Sequence, residues 1–195
     1  MGRRAEILVV CTGNICRSPL AERLLRAGLD AQWGPAAADV LVHSAGTRAL
    51  AGRGMDEAAS RQLILYGGTS VDFTARQLDA AMTRTATLVL ALTRDHRVPI
   101  VEGCPAAARV TFTLREMARL LVDLPTSDVM GNTPGDRVEA MTKLAASRRG
   151  LLPPVPFTDD DVVDPYGGDL QRHEFTSGQI AAAVSTLLRF TAPLF

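Results

Sequence analysis

The chain has 195 residues, ample for one domain with a sizeable core, and no second domain is expected. Its 21 Lys and Arg balance 21 Asp and Glu, which implies neither a general nucleic-acid surface nor a strongly acidic partner, so binding is expected at one local site. Three cysteines, Cys11, Cys16 and Cys104, form neither a disulfide framework nor a zinc-type Cys-x2-Cys pair, and no apolar stretch approaches the ~20 residues that span a bilayer.

The basic amino terminus, Arg3 and Arg4, is followed by an apolar run of only four residues, 7–10, too short for the core of a signal peptide. A cytoplasmic location is expected, and it suits reduced thiols. Residues 7–10 read as a buried parallel strand, and Pro19, Leu20, Leu24, Leu25 and Gly28 read as a helix that continues to about Trp33. Between them runs Cys11-Thr12-Gly13-Asn14-Ile15-Cys16-Arg17-Ser18. Gly13 and Asn14 permit tight, partly left-handed backbone, so successive N–H groups can converge on one concavity. That concavity faces the positive end of the helix dipole, and Arg17 adds a planar fork of donors matched to a tetrahedral oxyanion. Cys11, six positions before Arg17, would sit at its base, where such surroundings favour the thiolate over the thiol. A thiolate beneath a phosphate-sized cup can attack phosphorus in line.

The stretch Cys11 to Pro19, placed after an amino-terminal strand, resembles the active-site loop of the low-molecular-weight protein tyrosine phosphatases. Ser44-Ala45-Gly46-Thr47 and Asp164-Pro165-Tyr166 resemble two further segments of that family in the same order. The resemblance implies a phosphatase with Cys11 as nucleophile, Arg17 as oxyanion ligand and Asp164 as general acid, residues 12–18 forming the phosphate-binding loop, and neither metal nor organic cofactor. It implies Ser44 bonded with Asn14 and Ser18 in a network that supports the loop. It also implies an open, mostly parallel four-stranded sheet of order 2-1-3-4, flavodoxin-like, with helices on both faces.

Farther along, residues 40–43 read as a second strand, with Ser44 at its carboxyl end, the edge where ligands bind in open parallel sheets. Residues 48–55, rich in glycine, read as a mobile loop, and the resemblance makes Leu50 a wall of the substrate cleft. An aliphatic wall resembles the bacterial branch, which acts on tyrosine-phosphorylated kinases; partners are therefore expected to be tyrosine-phosphorylated proteins, including such a kinase, with no nucleic acid and no membrane insertion. Residues 56–66 read as a helix. Phe73 stands before an Ala-Arg-Gln segment where many relatives carry histidine, a departure that bears on the network around Asn14 and Ser44. Residues 86–92 read as a central strand, followed by a helix after Thr93; residues 109–112 read as a fourth strand, and 114–121 as a helix. His96, His43 and His173 read as solvated histidines, since nothing pairs them with a nucleophile or with metal-ligand spacing.

Residues 125–158 fall outside the resemblance and read as an insertion near the active-site rim that either contacts a protein substrate or covers the core, the latter being favoured. Within it, residues 136–149 suggest a helix. The run Asp159 to Asp161 reads as a solvated face. Asp164 differs, because Pro165 stiffens the backbone behind it and Tyr166 offers a ring at the cleft mouth; it is the candidate acid. Residues 178–190 read as a closing helix.

Rival readings stay open. Thiol-coupled arsenate reduction needs additional cysteines, and only Cys104 stands outside the loop. Arginine phosphatases carry threonine where Ile15 stands. A phosphoprotein-binding module is expected to lack the nucleophile or the acid. Cys16 is either a redox partner able to trap an oxidised Cys11 or a packing residue of the loop.

Overall fold

The computed structural model describes residues 4–193; Arg3 of the basic amino terminus lies outside them. Strands β1 (Ala5–Cys11), β2 (Val40–Gly46), β3 (Leu88–Ala91) and β4 (Thr111–Thr113) form one sheet of order β2-β1-β3-β4, every pair parallel. This is the expected 2-1-3-4 order. Helices α1 (Arg17–Trp33), α2 (Glu57–Leu65), α3 (Ala80–Thr85), α4 (Arg94–Gly103), α5 (Leu114–Leu121), α6 (Pro134–Arg148), α7 (Phe157–Asp160) and α8 (Leu170–Thr191) surround it.

The strand period of two divides β1 between two cores. Ile7, Val9 and Cys11 face a large cluster with residues of α1, α5, α6 and α8, whereas Leu8 and Val10 face a smaller one that includes Val89, Ala91 and Ile100 of α4. A strand covered on both faces has no polar side, which is why residues 7–10 are continuously apolar. At the carboxyl end of the sheet Cys11 pairs with Gly46 of β2. A side chain at Gly46 would collide with the Thr12 carbonyl and with Ala49, so the end of β2 presses directly on the turn that follows β1.

Four expectations need correction. The segment before β4 is a 3-10 turn, Pro105–Arg109, so the strand starts at Thr111. The last helix begins at Leu170, with Asp169 capping it by accepting from the Arg172 N–H. Residues 48–55 have no regular structure, as expected, but their backbone is tied down: Arg48 N donates to Thr12 O at 3.0 Å, Leu50 N to Gly13 O at 3.0 Å and Gly52 N to Ala75 O at 2.9 Å. Finally, residues 125–158 do not form the active-site rim. Their helix α6 contributes Val138, Met141 and Ala145 to the large core, and Gly135 N donates to Asp39 Oδ2 at the opposite, amino end of the sheet. Arg149, just past α6, lies over the Phe112 ring at 4.0 Å and bonds Glu116 Oε1 at 2.9 Å. Of the two readings of this segment, the structure places it over the core.

Candidate active site

Cys11 ends β1, and its sulfur lies at the bottom of a cavity of about 210 Å³ opening at the carboxyl edge of the sheet. Residues 12–16 carry the chain in a tight arc into α1, made possible by Asn14 at φ 55°. Cys16, the residue flanking the helix, makes no side-chain cap, and the first turn of α1 holds no acidic residue. The N–H groups at this helix start are thus left for a ligand, and the dipole favours an anionic one.

Around the sulfur the hydrogen bonds form a connected chain. Asn14 N donates to Cys11 Sγ at 3.3 Å, and Ser18 Oγ lies 3.0 Å from the same sulfur. Asn14 Nδ2 donates both to Ser18 Oγ and to Ser44 Oγ, at 2.8 Å each. Ser18, already accepting from Asn14, therefore has its own hydrogen available for the sulfur. Ser44 passes its hydrogen to Glu22 Oε2 at 2.5 Å, and Asn14 Oδ1 accepts from Arg76 N at 2.8 Å. A buried carboxylate thus orients one serine, which orients the amide that turns the second serine toward Cys11. The expected meeting of Asn14, Ser18 and Ser44 is present.

Glu22, 7% exposed, escaped the sequence reading, because a charged residue early in an amphipathic helix looks like its solvated side. Phe73, buried with Ile15, Cys16, Ala59 and Ala75, packs behind the loop and has the Arg23 guanidinium 5.6 Å from its ring centre. It adds no polar link to the chain running from Glu22 to Cys11.

Arg17 is 5% exposed, yet its Nε has no partner among the described residues. Its Nη1 reaches Val162 O at 3.4 Å and its Nη2 pairs with Asp164 Oδ2 at 2.8 Å. A buried guanidinium nitrogen without an acceptor, at the mouth of a cup of N–H groups, is suited to an oxyanion that supplies one. Ile15, Leu50 and Tyr166 make the cavity walls largely apolar. Burial, followed by Asp56 and Cys11, pushes the Cys16 thiol far up. Cys104 caps the far end of α4 and lines no part of the cavity. Among the described residues, no group of three or more His, Cys, Asp or Glu side chains converges as a metal site would require.

Two readings change here. His96 is buried at 7% exposure, with Nε2 at 2.8 Å from Thr12 Oγ1 and Nδ1 at 2.8 Å from Thr93 Oγ1, so it braces the cysteine loop. His173 is likewise buried, 4.0 Å from Asp56 Oδ1, and His43 is half-buried. The aspartate run is a solvated face only at Asp159, which is exposed: Asp160 is 3% exposed and held by Arg94 at 2.6 Å and Arg119 at 3.1 Å, and Asp161 Oδ1 accepts from Arg94 N at 2.8 Å. With Val162 N donating to Leu92 O at 2.8 Å, these bonds fix the segment that delivers Asp164.

The sequence model for "Low molecular weight phosphotyrosine protein phosphatase" matches residues 6–120, more than half of the chain. The chain belongs to that family. The part matched to this phosphatase family holds the cysteine loop, Glu22, Ser44, Leu50 and His96, while Asp164 and Tyr166 lie beyond it. A similar relative is the probable low molecular weight protein-tyrosine-phosphatase AmsI of Erwinia amylovora, 42% identical over 91 residues, covering 47% of this chain and 58% of the relative. The chain spans less than two thirds of the first curated relatives that it matches. Among solved structures, the family phosphatase of T. tengcongensis is 27% identical with a TM-score of 0.66, covering 94% of this chain and 97% of the other. The YwlE arginine phosphatase of Geobacillus stearothermophilus is 29% identical with a TM-score of 0.65, covering 94% and 90%. No helix among the described residues is long and apolar enough to cross a membrane.

Proposed function

We propose that the chain hydrolyses phosphotyrosine esters of proteins through a phosphocysteine intermediate, as one phosphatase domain carrying an insertion at residues 125–158. The observation that carries the reading is the sulfur of Cys11 beneath converging donors, with Arg17 and Asp164 paired at 2.8 Å above it. In the first step Cys11 Sγ attacks phosphorus, the bond to the phenolic oxygen breaks, and Asp164 gives that oxygen its proton. Arg17 and the N–H groups of residues 12–17 hold the three equatorial oxygens. In the second, water attacks phosphorus, its proton passes to Asp164, and Cys11 leaves as the thiolate.

An arriving phosphoryl group competes for the donors of Arg17 that Asp164 holds. The displaced carboxyl, 49% exposed, is then free to swing toward the oxygen of the leaving group.

The walls support an aromatic ester: Ile15, Leu50 and Tyr166 offer a flat phenol ring apolar contact. A phosphoarginine reading has the YwlE likeness in its favour, but a guanidine group would lose hydration against Ile15 without a partner. Partners are tyrosine-phosphorylated proteins, among them a bacterial tyrosine kinase, and we place the reaction in the cytoplasm, where the three thiols stay reduced. The deciding assay compares initial rates on phosphotyrosine, phosphoarginine and phosphoserine peptides, and on arsenate with reductant, for the parent and Cys11→Ser. Phosphotyrosine turnover lost in the variant is expected. Preference for phosphoarginine, arsenate reduction or a variant that keeps its rate would each defeat the proposal.

A further inference from the structure

Beside the catalytic cavity lies a second groove of about 490 Å³ that shares Arg17 and Asp164 with it. Its character is different. Where the cavity has Ile15, Leu50 and Tyr166, the groove has Thr93, Asp95 and His96 of the β3–α4 junction. Arg48 lines both and so stands on the ridge between them. Its backbone is fixed by the bond from Arg48 N to Thr12 O at 3.0 Å, while its side chain is exposed and has no carboxylate partner among the described residues.

We propose that this groove is a subsite for the residue adjacent to the phosphorylated one, and that Arg48 selects an acidic side chain there. The inference rests on the phosphatase reading above and adds the sequence context of the substrate. With a phosphoryl group on Arg17 and the ring against Leu50 and Tyr166, the peptide backbone leaves the cavity over its rim. The backbone of the adjacent residue lies ~3.4 Å farther along an extended chain and its side chain turns out of the cavity, toward the rim where a long flexible guanidinium stands. The polar walls formed by Thr93 and His96 suit a hydrated peptide segment better than another apolar anchor. Asp95 on the groove wall repels an acid placed deeper, which confines the preference to the Arg48 side.

The test uses phosphotyrosine peptides identical except for Asp, Ala or Lys flanking the phosphoresidue, assayed with the parent, Arg48→Glu and Arg48→Gln. Only ratios of kcat/KM within each protein are compared, so a general loss of rate or folding in a variant cancels. For the parent the expected order is Asp over Ala over Lys, with a span of about three- to tenfold, as suits one exposed ion pair, narrowing as salt is added. Arg48→Glu reverses the order and Arg48→Gln flattens it. The same ratios in parent and both variants, or no flank dependence in the parent, would overturn the inference while leaving the phosphatase reading intact. A parent inactive on every peptide and on a plain aryl phosphate overturns both.

Discussion

Arg17 Nη2 and Asp164 Oδ2 lie 2.8 Å apart, and the two partners differ sharply in exposure: 5% for the arginine side chain and 49% for the aspartate. The carboxylate is the movable member of the pair. Buried on helix α1, the guanidinium stays where an oxyanion would meet it, and the aspartate holds that place from the solvent side.

Replacing Asp164 by Asn should therefore separate two quantities that usually fall together. With Asp164 as the proposed proton donor, the variant should lower kcat for phenyl esters by about 10²–10⁴-fold. Inorganic phosphate, relieved of a competitor for Arg17, should inhibit more strongly, by about two- to fivefold, a modest gain because the carboxylate is half exposed. Steady-state inhibition measures both, and weaker phosphate binding in Asp164→Asn would contradict the competition.

Ser18→Ala removes the hydroxyl that Asn14 turns toward Cys11 at 3.0 Å. A hydrogen bond to a charged sulfur is worth ~1.5–3 kcal/mol, so kcat/KM should fall about 10- to 100-fold. Alkylation of Cys11 by iodoacetamide at one fixed neutral pH should be slower in the variant. An unchanged alkylation rate would show that the hydroxyl does not activate the sulfur.

Asp160 is pulled two ways: burial raises its carboxyl, while hydrogen bonds from Arg119 and Arg94 outweigh it and hold it below the usual carboxylate range. Stability from this group is complete above the ~4 of an unfolded aspartate and is lost as pH falls through the lower, folded value. Asp160→Ala should cost about 2–4 kcal/mol at neutral pH, less than for a fully enclosed pair because both arginines reach solvent. Its denaturation curves below pH ~4 should be flatter than the parent's. The same variant should lower kcat more than it changes KM for an aryl phosphate, since the segment delivering Asp164 loses its anchor.

His96 works in the other direction. Burial, reinforced by the nearby charge of Arg17 and opposed by Asp164 and Asp95, lowers it from an ordinary value of 6.5 to about 4. Between those values the unfolded chain binds a proton that the folded chain refuses, so stability falls as pH drops from 6.5 to 4 and is unaffected above 6.5. The effect amounts to about 3 kcal/mol across that window. His96→Gln, which keeps an amide able to bond Thr12, should remove most of this slope in urea titrations at stepped pH. A slope equal to the parent's would rule out His96 as its source.

What the sequence made legible was local. The run from residue 7 to Ser18 shows itself through an apolar strand, two permissive residues and a helical repeat, and Asp164 through the proline and tyrosine that follow it. What stayed hidden depends on distant partners. His96 is buried because Thr12 lies across the sheet edge, 84 positions away in the chain, and Asp160 because Arg94 and Arg119 converge on it from two helices. Neither shows periodicity, since a charged residue beside other charges looks solvated until the fold supplies its counterion. The early start of α8 was masked for another reason: its first turns carry Gln171, Arg172 and Glu174, and Gly178 inside it resembles a boundary. Residues 125–158 could be recognised as a separate segment, but their position depended on Asp39, a residue nearly a hundred positions earlier.

The absence of a side chain at Gly46 makes the shape of the anion cup partly a property of the neighbouring strand. An alanine there would push on the carbonyl of Thr12 and widen the ring of amides without touching sulfur, guanidinium or acid. The sulfur would survive such a change while the loop's grip on a tetrahedral anion would not, so a defect in this site can originate in a residue that never meets the ligand.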